Sequence, residues 1–200
     1  MRERVLDTAL ALMSEQGAGS TSMRQLAAAS GVQVAAIYHY FPSKDALLTA
    51  VIDERQYHAR LAEQLEVEVS LDLPVEDRLR ATFLLFWNGA LDESPVLKLL
   101  LGEGLRAEPA AQQVGSELLT TFRFGVMDRL RAWVPEVVEA GDAESVVEII
   151  IGQIILGFVQ HTFEPQRDPS EIGSAAAAAV VATVSRGLIL RDCRHPTLGS

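Results

Sequence analysis

The chain has 200 residues, 48% of them hydrophobic but only 6% aromatic, and carries a formal net charge of −10. That length holds one sizeable core or two small ones, and the single cysteine, Cys193, excludes a disulfide framework or a cysteine-based zinc site within the chain. Residues 1–50 hold four bases and four acids, so the whole negative charge lies in the rest; such an acidic body repels DNA and turns a neutral N-terminal face toward it, or simply keeps the chain soluble.

Residues 1–16 place Val5, Leu6, Ala9, Leu10, Leu12 and Met13 on one helical face. They lack the apolar run and small-residue cleavage site of a signal peptide, so the expected location is the cytoplasm. Gly17 and Gly19 end this helix. Thr21 and Ser22 offer N-cap hydroxyls to a second helix over 22–29, with Met23, Leu26 and Ala27 facing inward. Ser30-Gly31-Val32 is a short break whose glycine suits positive φ. A third short helix spans 33–40, with Ile37 and Phe41 inward. The residue before Pro42 leaves the helical region, and Ser43 caps a long fourth helix over 44–66. A linker near 69–74 leads to helices over 74–91, 95–107, 110–133, 142–163 and 170–190, punctuated by Pro95, Pro109, Gly141, Pro165 and Pro169. No segment reads convincingly as β. The expected fold is all-α, with about nine helices: a three-helix N-terminal head, a long connecting helix and a C-terminal bundle. Residues 146–163 are the most apolar stretch, but Glu148 makes a membrane span costly and a buried bundle helix the better reading.

Two short helices around a glycine-containing turn make helix-turn-helix geometry, over about 22–41. The stretch 4–47 resembles the tetracycline-repressor (TetR-like) family. The matching features are Val5-Leu6-Asp7-Thr8-Ala9, Gly17, Thr21-Ser22, Leu26-Ala27, Gly31-Val32, Ile37-Tyr38-His39-Tyr40-Phe41 and Ser43-Lys44-Asp45-Ala46-Leu47. The resemblance implies a DNA-binding head over 1–48, a ligand-binding and dimerisation domain over 49–200, and a symmetric dimer placing the third helices in successive major grooves. It also implies a small-molecule pocket and repression of a palindromic double-stranded operator.

The residues present suit DNA contact. Tyr38, His39, Tyr40 and Lys44 offer donors to phosphate oxygens, as do Thr21 and Ser22 at the start of the second helix. Arg24 reaches a phosphate or a guanine edge. The chain departs from the family at Gln33, where a small hydroxyl residue is usual, and at Ala35, where glycine or proline is common. Gln33, Val34, Ala35 and Ala36 are the base-facing candidates. Gln33 suits an adenine edge, and Val34 and Ala35 suit thymine methyls, so an A·T-containing contact region is expected.

The helices over 142–163 and 170–190 are apolar around most of their surface, and the second carries Ala175–Ala179 in a row. Such helices need burial on more than one side, and in the resembling family the last two helices form the dimer interface. Ligand candidates are the apolar Phe83, Phe86, Trp87, Phe124 and Met127, with polar Gln153 and His161; the expected ligand is a largely apolar small molecule, though such residues also describe an ordinary core. Gly102 and Gly104 weaken the helix over 95–107, marking it as a transmitter of ligand binding to the heads through the fourth helix. The sequence holds no nucleophile–base pair, zinc motif or phosphate loop, so no enzymatic activity, cofactor or metal is expected. The reading is therefore a dimeric repressor released by a small molecule. The alternatives are a ligand-independent regulator or activator, and a helical small-molecule-binding module without DNA binding.

Overall fold

A computed structural model of the chain describes residues 1–54 and 68–192, with side chains except at 53–54 and 188–192. The described residues are all-helical, in ten elements. They are α1 (Arg2–Gln16), α2 (Met23–Ser30), α3 (Val34–Tyr40), α4 (Lys44–Glu54), α5 (Val75–Asp92), α6 (Ser94–Leu105), α7 (Pro109–Trp133), α8 (Pro135–Glu139), α9 (Ala143–Phe163) and α10 (Pro169–Asp192). The expected continuation of α4 to residue 66 lies outside the described residues, as does Cys193. The expected all-α class holds. Among the described residues the count is one more than expected because α8 forms between the helices expected over 110–133 and 142–163, opened by Pro135, whose fixed φ suits a first helical position.

The helices group into two compact units that do not follow chain order. One holds α1–α4, α6 and the start of α7 as far as Thr120; the other holds α5, α7 from Thr121, and α8–α10.

In the first unit, α1 buries Val5, Leu6, Ala9 and Met13 and packs on α2, α4 and α6. Gly17 stops it at φ 83, with its amide returned to the Met13 carbonyl. A full capping box opens α2: the Ser22 hydroxyl accepts the Gln25 N–H, and the Gln25 side chain accepts the Ser22 N–H. Gly31 closes it in the left-handed region at φ 65, a conformation that a β-carbon would strain. Ser43 caps α4 by accepting the Ala46 N–H at 3.0 Å. On the inner face of α6, Val96, Leu99, Leu100 and Glu103 are buried.

In the second unit, α5 packs on α9 and α10 and buries Leu79, Phe83, Phe86 and Trp87. The Trp87 indole lies against two glycines. A β-carbon at Gly157 would sit 2.8 Å from its ring, and one at Gly173 would fall on its pyrrole edge. Its Nε1 donates to the Pro169 carbonyl at 3.2 Å. Phe86 packs on Phe122, with ring centres 5.7 Å apart.

The buried Arg78 joins α5 to the α7–α8 junction. Its guanidinium donates to the Leu73 carbonyl at 2.9 Å, to the Trp133 carbonyl at 2.7 Å, and to both carboxylate oxygens of Glu136. That hydrogen bond, followed by one from the backbone, holds the Glu136 carboxyl below the usual carboxylate range. Arg78→Ala is expected to cost about 3 kcal/mol, because it leaves a buried carbonyl without its donor and Glu136 without its counter-ion. A carboxyl with a depressed folded pKa contributes stability at neutral pH and loses it as pH falls through that pKa. The gap between wild-type and Arg78→Ala unfolding midpoints should therefore narrow on acidification below the carboxylate range. A gap that stays constant to pH 3 would exclude the pair as its source.

Candidate nucleic-acid interface

The turn at Gly31 sets α3 against α2, with Ile37 buried as its anchor. Ala35, Tyr38 and His39 then recur at helical spacing on the exposed side. Gln33 precedes the helix as its N-cap residue; its side chain is exposed and makes no capping hydrogen bond, which leaves its amide available for base-edge contact. Val34 and Ala36 are half-buried at the flanks of this face. Tyr38 and Tyr40 are 49% and 42% exposed, large values for aromatic side chains in a folded domain. His39 packs edge-on against Tyr40 at 5.3 Å between centres. Tyr40 in turn leans on the buried Phe41, whose ring also carries the Arg2 guanidinium at 5.2 Å. On α2, Arg24 is exposed. Ser22 is exposed too, but its hydroxyl is engaged in the capping box.

Two expected phosphate contacts are placed otherwise. Thr21 is buried at 1% exposure, and its hydroxyl donates to the Gly17 carbonyl at 2.9 Å, so it closes the α1–α2 corner instead of meeting solvent. Lys44 is half-buried; its ammonium turns back to the Ala18 and Gly19 carbonyls at 2.8 and 3.1 Å. The reason is shared: the carbonyls of this corner lack helical partners and draw the nearest donors. Glu103 was not singled out from the sequence. Its buried carboxylate accepts the Ala18 N–H at 2.9 Å, a contact 85 residues apart that no local pattern announces.

The ligand candidates separate in the same way. Phe83, Phe86 and Trp87 come together, fully buried, in a packed interior. Met127 and Gln153 are half-buried. His161 is half-buried as well, and its Nδ1 is enclosed with no hydrogen-bond partner among the described residues. Phe124 does not belong with them. It is 67% exposed, because it stands two residues from the buried Phe122, about 200° round the helix.

The last two helices carry an uncovered apolar face. On α9 the exposed side chains include Ile155, Leu156, Val159 and Phe163; on α10 they include Ser174, Ala175, Ala178, Ala179, Ala182 and Thr183. Among the described residues α9 is long and apolar enough to cross a membrane, although 39% of its most apolar window is buried within the fold. No cluster of three or more metal-binding side chains occurs among the described residues.

Residues 5–51 match the family of bacterial regulatory proteins, tetR family. The chain is 30% identical over 132 residues to the HTH-type transcriptional regulator UidR of Escherichia coli (strain K12), covering 65% of this chain. The match spans 64% of that relative, under two thirds of its length. Among solved structures, a transcriptional regulator from Rhodococcus sp. Rha1 superposes with a TM-score of 0.69 at 20% identity, covering 94% of this chain and 97% of that one. The Bacillus subtilis regulator FadR, in complex with stearoyl-CoA, superposes with a TM-score of 0.61 at 16% identity, covering 92% and 97%.

Proposed function

We propose a dimeric, sequence-specific repressor of transcription, acting in the cytoplasm and released from its operator by a small molecule, for this chain whose residues 5–51 match the tetR family of bacterial regulatory proteins. In this reading residues 1–48 bind DNA and 49–200 serve ligand binding and dimerisation. The observation that carries it is the exposed face of α3: Gln33, Ala35, Tyr38 and His39 stand together on a helix braced by Gly31 and Ile37. The backbone geometry suits insertion in a major groove, with Arg24 on α2 beside the phosphates.

The apolar face of α9 and α10 supports a homodimer. Two copies would cover each other's Leu156, Val159 and alanine stripe, and the two heads would then read half-sites about one helical turn apart. The ligand is proposed as largely apolar, since the second unit's interior is aromatic and aliphatic; a polar group on it would satisfy the enclosed Nδ1 of His161. Of the stearoyl-CoA held by the Bacillus subtilis neighbour, the acyl chain is of this class, whereas its coenzyme A part is polar and charged.

The test is selection of bound sequences from random DNA by the full chain, followed by a screen for small molecules that release the enriched site. A palindrome with half-sites centred about 10 base pairs apart is expected. Enrichment of no sequence would sink the reading and leave a helical small-molecule-binding module. Within the enriched site, Gln33→Ala should lower affinity by about 1–3 kcal/mol and relax the preference for an A·T pair. Unchanged affinity and base preference in a binding titration would remove Gln33 from the base-reading set.

A further inference from the structure

The α1–α2 corner is gripped from two directions by side chains remote in sequence. From α6, Glu103 Oε1 accepts the Ala18 N–H at 2.9 Å. From the first turn of α4, Lys44 Nζ donates to the Ala18 carbonyl at 2.8 Å. One residue therefore has both backbone groups taken by side chains of opposite charge. Ala18 and Glu103 are 4% and 5% exposed, so water does not replace these bonds readily. Arg106, in the turn that follows α6, donates to the same carboxylate oxygen at 3.3 Å.

A carboxylate is an expensive side chain at this place. Its neighbours on the inner face of α6 are Val96, Leu99 and Leu100, and a leucine there would bury without desolvating a charge. What a leucine cannot do is accept the Ala18 N–H. The corner leads directly into Ser22 and α2, so the two peptide groups that flank Ala18 lie on the stretch of chain that joins α1 to α2.

We propose that Glu103 is a positioning residue for DNA binding: together with Lys44 it locks the two peptide groups that flank Ala18 and so fixes the direction in which α2 and α3 are presented. This rests on the DNA-binding reading above. Glu103 itself is enclosed and touches no phosphate.

The test uses the full-length chain and the DNA sequence it selects, with affinities measured at several salt concentrations well below each variant's unfolding midpoint. Glu103→Ala should weaken binding about tenfold, the effect of cutting the fraction of chains that hold α2 and α3 in the binding-competent direction to about a tenth. The salt dependence should keep its slope, because no phosphate contact is lost. Exchange of the Ala18 amide proton should quicken in the same variant. Glu103→Gln retains an oxygen acceptor and should bind within about threefold of wild type, a residue still able to satisfy the buried donor. If Glu103→Ala fails to fold, Glu103→Leu fills the volume without accepting and carries the same expected loss. Wild-type affinity in Glu103→Ala or Glu103→Leu overturns the proposal, as does a Glu103→Gln as weak as Glu103→Ala. A wild-type chain that selects no DNA overturns the binding reading and this inference together, whereas a binding wild type with indifferent variants overturns this inference alone.

Discussion

Gly173→Ala is expected to destabilise the protein by about 3 kcal/mol, against the usual sign of such a change, since overpacking a closed site costs roughly this much. In an exposed helix interior, replacing glycine with alanine gains about 1 kcal/mol through propensity. At Gly173 the new β-carbon would land on Nε1 and Cδ1 of Trp87, an indole that is itself 1% exposed and tied to the Pro169 carbonyl. Neither the ring nor the α10 backbone can yield cheaply. At a total stability of about 5–15 kcal/mol the loss is large, and it should lower the unfolding midpoint by about 6–12 °C for a chain of this size. Gly157→Ala, with its contact at 2.8 Å, should act in the same direction. Gly115→Ala is the control. Nothing lies within 4 Å of its β-carbon position in α7, so that variant should be neutral or slightly stabilised. Trp87→Phe in the Gly173→Ala background should recover part of the loss, as contacting residues couple by about 0.5–3 kcal/mol. Thermal unfolding at one fixed protein concentration measures all four. A Gly173→Ala midpoint equal to wild type would mean the indole does not occupy this cleft.

The second large effect belongs to the uncovered face of α9. Leu156→Glu should convert the proposed dimer to a monomer and reduce affinity for the selected DNA site by at least about 100-fold, because two tethered heads gain about 10²–10⁴ over one. Leu156 is 49% exposed in the single chain, so the fold of each protomer should survive the change with little loss of secondary structure. Placing a charge in the centre of an apolar interface is costly only if a partner covers it. Sedimentation and DNA titration on the same samples check both halves of the expectation. A Leu156→Glu protein that remains dimeric would place the interface elsewhere.

Much of the first unit was legible locally. Val5, Leu6, Ala9 and Met13 declare the buried side of α1, Gly17 and Gly31 mark its end and that of α2, and Ser22 marks the start of α2. These signals act within one or two helical turns, so spacing along the chain is enough to read them. Phe124 was also legible in principle. The buried residues Phe122, Val126, Leu130 and Trp133 in α7 define a face on which it does not lie. Adjacent hydroxyls were not separable: Thr21 and Ser22 are alike as N-cap candidates, yet one is enclosed and the other caps α2.

The sequence by itself determined the all-helical class, the helix-turn-helix head and the two apolar C-terminal helices, because hydrophobic period, caps and turn glycines are short-range properties. Only the tertiary structure decided that Thr21 and Lys44 turn inward, that Glu103 holds Ala18, and that Trp87 fills a cleft between Gly157 and Gly173. The longest of these contacts join residues 85 and 82 positions apart, at Glu103–Ala18 and Trp87–Pro169. A buried donor takes whichever acceptor the closed fold brings within about 3 Å, and that choice is made by tertiary packing, not by the local sequence.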